Sequence, residues 1–418
     1  MNAPLPHAAL QSVRAADLSA LPLIEKWVSF ASVSRDSNLP LIEWTRALLE
    51  AQGVQCRLIY DDTGKKANLW ATLPAENGET KIGGLVLSGH TDVVPVDGQP
   101  WNTDPFVAQV IGDKLYGRGV TDMKGFGATV LMMVPELLKR KLKQPVHLAF
   151  SYDEEVGCIG VRKLIADMLD QGFRPAACIV GEPTGMQVVI AHKGKHAYKT
   201  SVRGFEAHSS LTPQGVNAVE IACEFVSHLK SMHRRLVAEG PFDAAYDVPH
   251  TTLHTGVIAG GTALNIIARD CDVTWEIRHH HMNSPVLLFN EAKAFADSLV
   301  PAMQAVAPET GITHKLNSVL PGFATEADSE IAKLCFRCAG ADDKDDKKVS
   351  ATDRSADAAV KVSFGTEAAL FHQVGVPTIV CGPGHIAQAH QPNEWVTLEQ
   401  LAWCERFMRR LADEICVN

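Results

Sequence analysis

The sequence predicts an α/β protein carrying a smaller α+β unit inserted within it, and two patterns lead there. Apolar runs of strand length alternate with longer amphipathic stretches as far as about residue 180: GGLVLSG (83–89), GFGATVLMMVPELLKRKL (125–142), VHLAFSY (146–152), VRKLIADMLDQG (161–172) and AACIVG (176–181). Such alternation places helices over a central sheet. Beyond residue 188 the order changes to strand (196–205), helix (215–240), two strands (251–260 and 268–278), helix (286–306) and strand (312–320). A βαββαβ series fits a ferredoxin-like unit.

The α/β pattern then returns in SFGTEAALFHQ, PTIVCG and LEQLAWCERFMRRLADEI. The expected segments are therefore 1–187 and 319–418 for the main domain and 188–318 for the insertion. Between the insertion and SFGTEAALFHQ, ADDKDDKKVSATDRSADAA (341–359) is charged and poor in apolar residues, which suits a solvated connection. Cys335 and Cys338 form a CxxC inside the helical SEIAKLCFRCAG with no second pair, so they read as ordinary helix residues.

A chain of 418 residues can bury a full core in each domain, and 46% hydrophobic with 21% charged residues is ordinary globular composition. With 48 acids against 39 bases the net charge is −9, which disfavours nucleic acid or a broad basic membrane surface as partner. A small-molecule substrate is the expectation. The N-terminal stretch lacks a basic start followed by an apolar core, no window is long enough to span a bilayer, and ten cysteines lack a disulfide-framework spacing; these features suit the cytoplasm.

Ligand sites of open α/β sheets gather at the carboxyl ends of strands. GGLVLSG runs into His90-Thr91-Asp92, VHLAFSY into Asp153-Glu154-Glu155, and AACIVG into Glu182. GRGVTD ends in Asp122 just ahead of a helix, and His390 follows PTIVCG. Two histidines with several carboxylates and no paired cysteines favour Zn²⁺, Co²⁺ or Mn²⁺ over a structural zinc site. Enough ligands exist for two ions, which at about 3.5–4 Å apart can polarise a carbonyl and acidify water. A separate carboxylate must then carry the proton to the leaving amine, a division of labour that accounts for adjacent glutamates at one strand exit. GPG at 382–384 begins a dinucleotide fingerprint, but no initial βαβ unit surrounds it and Pro392 interrupts any following helix.

SGHTDVVP, YGRGVTDMKG, DEEVG, GEPT and AHQPNEW, in this order around a βαββαβ insertion, resemble the M20 family of dinuclear metallohydrolases. The segments VGEPTGMQVVIAHKG, QGVNAVE, GTEAALF and GPGHIAQAHQPNEW resemble its acetylornithine deacetylase branch. The resemblance implies a metallohydrolase catalytic domain with a mixed sheet flanked by helices, and an inserted lid and dimerisation domain. It implies two divalent ions, zinc first and cobalt next, with Asp122 bridging, His90 and Glu182 at one ion, and Glu155 and His390 at the other. Glu154 would be the general base, and Asp92 would orient His90. A cis peptide is expected at Asp122-Met123.

In the insertion, His208 would reach the partner's active site of a homodimer to stabilise an oxyanion, Arg278 would grip a substrate carboxylate, and Asn265 would position substrate. Glu367 is expected to meet a substrate ammonium, with a solvated helix-start carboxylate as the plain alternative. His279, His280 and His281 match no motif and are expected to be exposed loop residues. The expected reaction is deacetylation of N-acetyl-L-ornithine. The alternatives are another N-acyl amino acid, succinyl-diaminopimelate or a dipeptide as substrate, a metal-binding homologue without catalysis, and a nucleotide-dependent oxidoreductase.

Overall fold

The computed structural model describes residues 13–340 and 359–417, so most of the charged connection lies outside the described residues. Two compact units result. The first holds the described residues up to Ile190, from Thr325 to Val360 and from Thr366 onward; the second holds Ala191–Ala324 and Lys361–Gly365. The main stretch of the inserted unit thus begins and ends a few residues beyond the expected 188 and 318, with Phe323 in register with His192 near its two ends.

The first unit opens with helices α1 (Leu21–Val28) and α2 (Leu39–Glu50) and strands β1 (Gln55–Tyr60), β2 (Ala67–Leu73), β3 (Leu85–His90), β4 (Gln109–Ile111) and β5 (Lys114–Tyr116). Then come α3 (Lys124–Lys139), β6 (Val146–Ser151), α4 (Ile159–Asp170), β7 (Ala177–Val180) and β8 (Val189–His192). The second unit contributes β9 (Gly194–Arg203), α5 (Ala218–Glu239), β10 (Thr252–Gly260), β11 (Asp270–His279), α6 (Pro285–Val306), β12 (Gly311–Leu320) and β13 (Phe323–Ala324). After it follow α7 (Glu330–Gly340), β14 (Val360–Val362), α8 (Ala368–Gln373), β15 (Thr378–Val380), β16 (Trp395–Thr397) and α9 (Leu398–Ile415).

In the first unit the sheet order is β1-β2-β6-β3-β7-β15-β8. The stretch β6-β3-β7-β15 is parallel, and antiparallel pairs flank it on both sides, so the sheet is mixed. Parallel strands buried on both faces should be apolar throughout, and β6 and β3 are buried at every position. Helix α3 packs on β3, α1 and α9, while α4 packs on β2, β6 and α8. Trp27 of α1 meets Phe150 of β6 edge to face at 5.0 Å within this core.

The second unit has sheet order β10-β11-β9-β12, antiparallel throughout, with α5 and α6 packed on it. This is the ferredoxin-like arrangement read from the βαββαβ order. Asn217 caps α5 by accepting the amides of Val219 and Glu220, and Ser284 caps α6 ahead of Pro285. Tyr198, Phe225, Trp275 and Met303 fill its core.

Cys335 and Cys338 lie buried in α7, as their helical context suggested. The three consecutive histidines depart from expectation. His280 is buried, its Nε2 paired with the Pro241 carbonyl at 3.1 Å, and His279 is half-buried at the end of β11; of the three, His281 is exposed. The segment after α5, through Pro241 and Tyr246, lies against His280, a neighbour that charge and hydropathy do not reveal.

Candidate metal centre

Because β6, β3, β7 and β15 run parallel, their carboxyl ends emerge at one edge of the sheet, and each delivers a group to it. His90 ends β3, Glu154 and Glu155 follow β6, Glu182 follows β7, and His390 lies in the loop after β15. Glycine makes one of these exits possible: a Cβ at Gly181 would sit 1.9 Å from the Phe126 ring, so only a residue without one lets the chain pass over that ring into Glu182. The sixth group, Asp122, is brought by the loop ahead of α3, and the Asp122-Met123 peptide is cis.

Asp122 presents one oxygen to each histidine: Oδ1 lies 3.0 Å from His90 Nε2, and Oδ2 lies 3.2 Å from His390 Nε2. His390 Nε2 also lies 3.0 Å from Glu155 Oε2. Ligand atoms of His90, Asp122 and Glu155 fall within 4.8 Å of one another, and so do those of His90, Glu154 and Glu182. All six groups are thus brought together. Asp122 stands between the two histidines as a shared ligand would, and Glu154 stands closer to the His90 and Glu182 pair than a purely remote base need be.

The electrostatics fit a cation-binding cluster. Burial raises the Glu182 carboxyl well above its ordinary range, with Asp122 and Glu154 adding to the effect. Burial likewise raises Glu155, and lifts Glu154 to about 8 with Glu155 contributing. Burial works to lower His90, but hydrogen bonding to Asp122 and the charge of Glu182 override it and hold the imidazole well above its usual value. Hydrogen bonds to Asp122 and Glu155 lift His390 to about 10. Burial thus shifts Glu154, Glu155 and Glu182 toward their protonated forms, and divalent ions would displace such protons. The donor set of two imidazoles and four carboxyls is of the type borderline divalent ions take.

Asp92 reaches His90 chiefly through its backbone. Its carbonyl accepts from His90 Nδ1 at 2.9 Å, whereas its carboxylate lies 3.6 Å from that nitrogen. The carboxylate instead accepts Ser34 Oγ at 2.7 Å and the amides of Glu154 at 3.1 Å and Glu155 at 3.3 Å. It therefore positions both glutamates as well as the histidine.

Glu367 requires a correction. It is wholly buried, with Oε1 accepting Ser88 Oγ and Oε2 accepting Ser151 Oγ, both at 2.7 Å. Both oxygens are occupied beneath the ends of β3 and β6, so the side chain ties those strands together and is not presented to a substrate ammonium. The solvated alternative is excluded by the same burial.

Two residues with no role assigned from sequence stand out. Lys124 is fully buried at the start of α3 and donates to the Phe30 carbonyl at 2.7 Å. Glu394 is buried behind the Asp122 loop, accepting its amides. Both lie inside the quoted motifs, MKG and PNEW, so the signal was present; apart from Arg118, which pairs with Glu394, these partners are backbone groups that residue identity does not disclose.

In the second unit His208 is exposed, and its Nδ1 accepts the Ser210 amide at 3.2 Å. The Asn265 carbonyl accepts the Ser209 amide at 3.1 Å and His208 bridges Ile266, so His208 and Asn265 lie on adjoining segments. Arg278 donates through Nε to Glu276 Oε1 at 2.7 Å.

The model of Peptidase family M20/M25/M40 matches residues 86–414. This chain belongs to that family. Among curated M20-type relatives it is similar to the acetylornithine deacetylase of Photorhabdus laumondii, 30% identical over 94% of both chains. It is also similar to the acetylornithine deacetylase of Yersinia pseudotuberculosis, 34% identical over 85% of both. Among solved structures, a tripeptidase from Staphylococcus aureus superposes with a TM-score of 0.70 at 18% identity, covering 95% of this chain and 98% of the other. This fold is thus shared with a chain of only 18% sequence identity. Among the described residues of this M20 hydrolase, no helix is long and apolar enough to cross a membrane.

Proposed function

We propose that this M20 hydrolase removes the acetyl group from N-acetyl-L-ornithine, giving ornithine and acetate. The observation that carries the hydrolytic reading is the Asp122 carboxylate set between His90 and His390, with Glu154 beside it. The substrate rests on similarity to curated acetylornithine deacetylases over most of the chain. Asp122 would be shared by two ions, with His90 and Glu182 completing one site and Glu155 and His390 the other. Zinc is the expected metal and cobalt the alternative; when bound, such ions polarise the amide carbonyl and lower the pKa of water.

Glu154 takes the proton of the attacking water and returns it to the departing amine nitrogen. A buried carboxyl lifted toward neutrality suits both halves of that exchange. Asp92 holds the backbone of Glu154 and Glu155 in place. His208 from a second copy of the chain stabilises the oxyanion, Arg278 pairs with the α-carboxylate, and Asn265 helps seat the substrate. The inserted unit supplies the dimer contact. In support of that, β10 is an edge strand with Val257 and Ile258 exposed, and Leu264 beyond it is fully exposed. All ten cysteines are free, which supports a cytoplasmic location.

The test is product release by zinc- or cobalt-loaded protein from N-acetylornithine, N-acetylmethionine, N-succinyl-diaminopimelate and a dipeptide, with Glu154→Ala in parallel. Preferred, Glu154-dependent acetate release from N-acetylornithine is the expected result. Preference for another member would overturn the substrate and keep the hydrolase. No turnover of any member by the metal-loaded wild type would count against the catalytic reading itself.

A further inference from the structure

Glu394, near the end of AHQPNEW, is a buried carboxylate that the reaction does not use. It is 1% exposed, and four N–H groups converge on it. Oε1 accepts the amides of Thr121 at 2.9 Å and Asp122 at 3.1 Å. Oε2 accepts the amide of Gly119 at 3.0 Å and Arg118 Nη1 at 2.8 Å. The Glu394 carbonyl accepts the amide of Gly117 at 3.0 Å, so the whole GRGVTD loop is folded around this one residue. Gly119 lies at φ 85° in that loop, a conformation glycine adopts without strain and one that helps turn consecutive amides toward a single carboxylate.

Arg118 carries the connection onward. It is as buried as Glu394, and its guanidinium lies 5.0 Å from the centre of the Trp101 ring. Its Nη1 also reaches the Gln391 carbonyl at 3.3 Å, and its Nη2 donates to Gln99 Oε1. Gln99 Nε2 in turn donates to the His390 carbonyl at 3.0 Å. Asn393, at φ 57°, closes the same seam by accepting the Asn102 amide at 2.7 Å. One continuous set of hydrogen bonds therefore ties the loop that carries Asp122 to the loop that carries His390, although neither Glu394 nor Arg118 faces the cluster as a ligand.

We infer that Glu394, acting with Arg118, is a positioning residue for the metal centre: it locks the Asp122 and His390 loops into one piece, so that their spacing is set before an ion enters. The inference rests on the metal reading given above. It separates two roles that burial alone does not. A buried ion pair that only supports the fold would change thermal stability and leave the affinity of the folded protein for metal untouched. A positioning pair changes metal affinity in protein that is fully folded, because outer-shell partners fix the orientation of ligands.

The experiment is Zn²⁺ titration of metal-stripped protein against a chromogenic chelator, with the visible absorption of Co²⁺-loaded protein as a second reading. Wild type is compared with Glu394→Gln, Gln99→Ala and Asp122→Ala. Glutamine keeps the shape of Glu394 but turns a donor toward donors, so Zn²⁺ affinity should fall about 10- to 100-fold with the far-UV circular dichroism unchanged, and the Co²⁺ bands should shift. Gln99→Ala cuts only the arm to His390 and should weaken binding by a smaller factor. A folded Glu394→Gln with wild-type Zn²⁺ affinity and wild-type Co²⁺ bands overturns the inference. If Glu394→Gln does not fold, Gln99→Ala decides, and unchanged affinity and spectrum in that variant overturn it equally. Failure of the wild type to bind Zn²⁺ more tightly than Asp122→Ala would sink the metal reading instead, which is a distinguishable result.

Discussion

The thiol of Cys158 donates to Oε1 of Glu154 at 3.1 Å. Cys158 begins the turn into α4 at φ 53° and is 2% exposed, so the donor is fixed by the backbone and shielded from water. Replacing it by alanine removes one hydrogen bond, worth about 1 kcal/mol, from the proposed base. Cys158→Ala should lower kcat about 3- to 10-fold in a folded, metal-loaded enzyme, and Cys158→Ser, which keeps a donor, should lose less. Steady-state kinetics on the preferred amide would check this.

Glu154 itself separates base from ligand. In Glu154→Gln the proton carrier is gone while the shape remains, so kcat should drop about 10²- to 10⁴-fold. Zinc content per protein, measured by elemental analysis, should stay at the wild-type value. A loss of zinc in proportion to the loss of activity would reassign Glu154 to the His90 and Glu182 cluster as a ligand.

Arg278 bears on substrate choice. A charge-assisted hydrogen bond contributes about 1.5–3 kcal/mol, so Arg278→Ala should cut kcat/KM about 10- to 100-fold for an N-acetyl amino acid. The same variant should lose little against the corresponding amino-acid amide, which has no carboxylate to grip. Equal losses on both substrates would assign the arginine to the fold, through its pairing with Glu276.

His147 gives the fold a pH dependence away from the metal centre. It is wholly buried in β6, stacked on Trp70 at 4.9 Å, and burial lowers its pKa to about 4. The unfolded chain titrates near 6.5 and binds a proton that the folded state refuses, so this contribution is complete above about pH 6.5 and is lost as pH falls toward about 4. Below that both states are protonated and the loss stops growing, at up to about 3 kcal/mol. Denaturant unfolding at pH 7.5 and 4.5 should therefore show a smaller acid loss for His147→Gln than for wild type.

Much of the architecture was legible because its signals are local. A buried parallel strand must be apolar along its length, and an acid or histidine directly after such a run marks the sheet edge where ligands collect; β3 with His90, β6 with Glu154 and Glu155, and β7 with Glu182 were found this way. The βαββαβ order was likewise a matter of counting periods. Glu367 and His280 were misread, since an acid at a helix start and a histidine in a turn have no local mark of burial; what covers them comes from segments far away in the chain.

Period and residue chemistry are properties of neighbouring positions, so the elements, the inserted unit and the residues proposed to hold metal and carry a proton could be read along the chain. That Asp122 stands between His90 and His390, that Asp92 aligns the two glutamates, and that Glu394 gathers the amides of the Asp122 loop emerged with the folded chain. The first depends on side chains brought together from distant strands and loops, and the other two on carboxylates meeting backbone amides 62 and 272 residues away, and a backbone amide carries no letter of its own in the sequence.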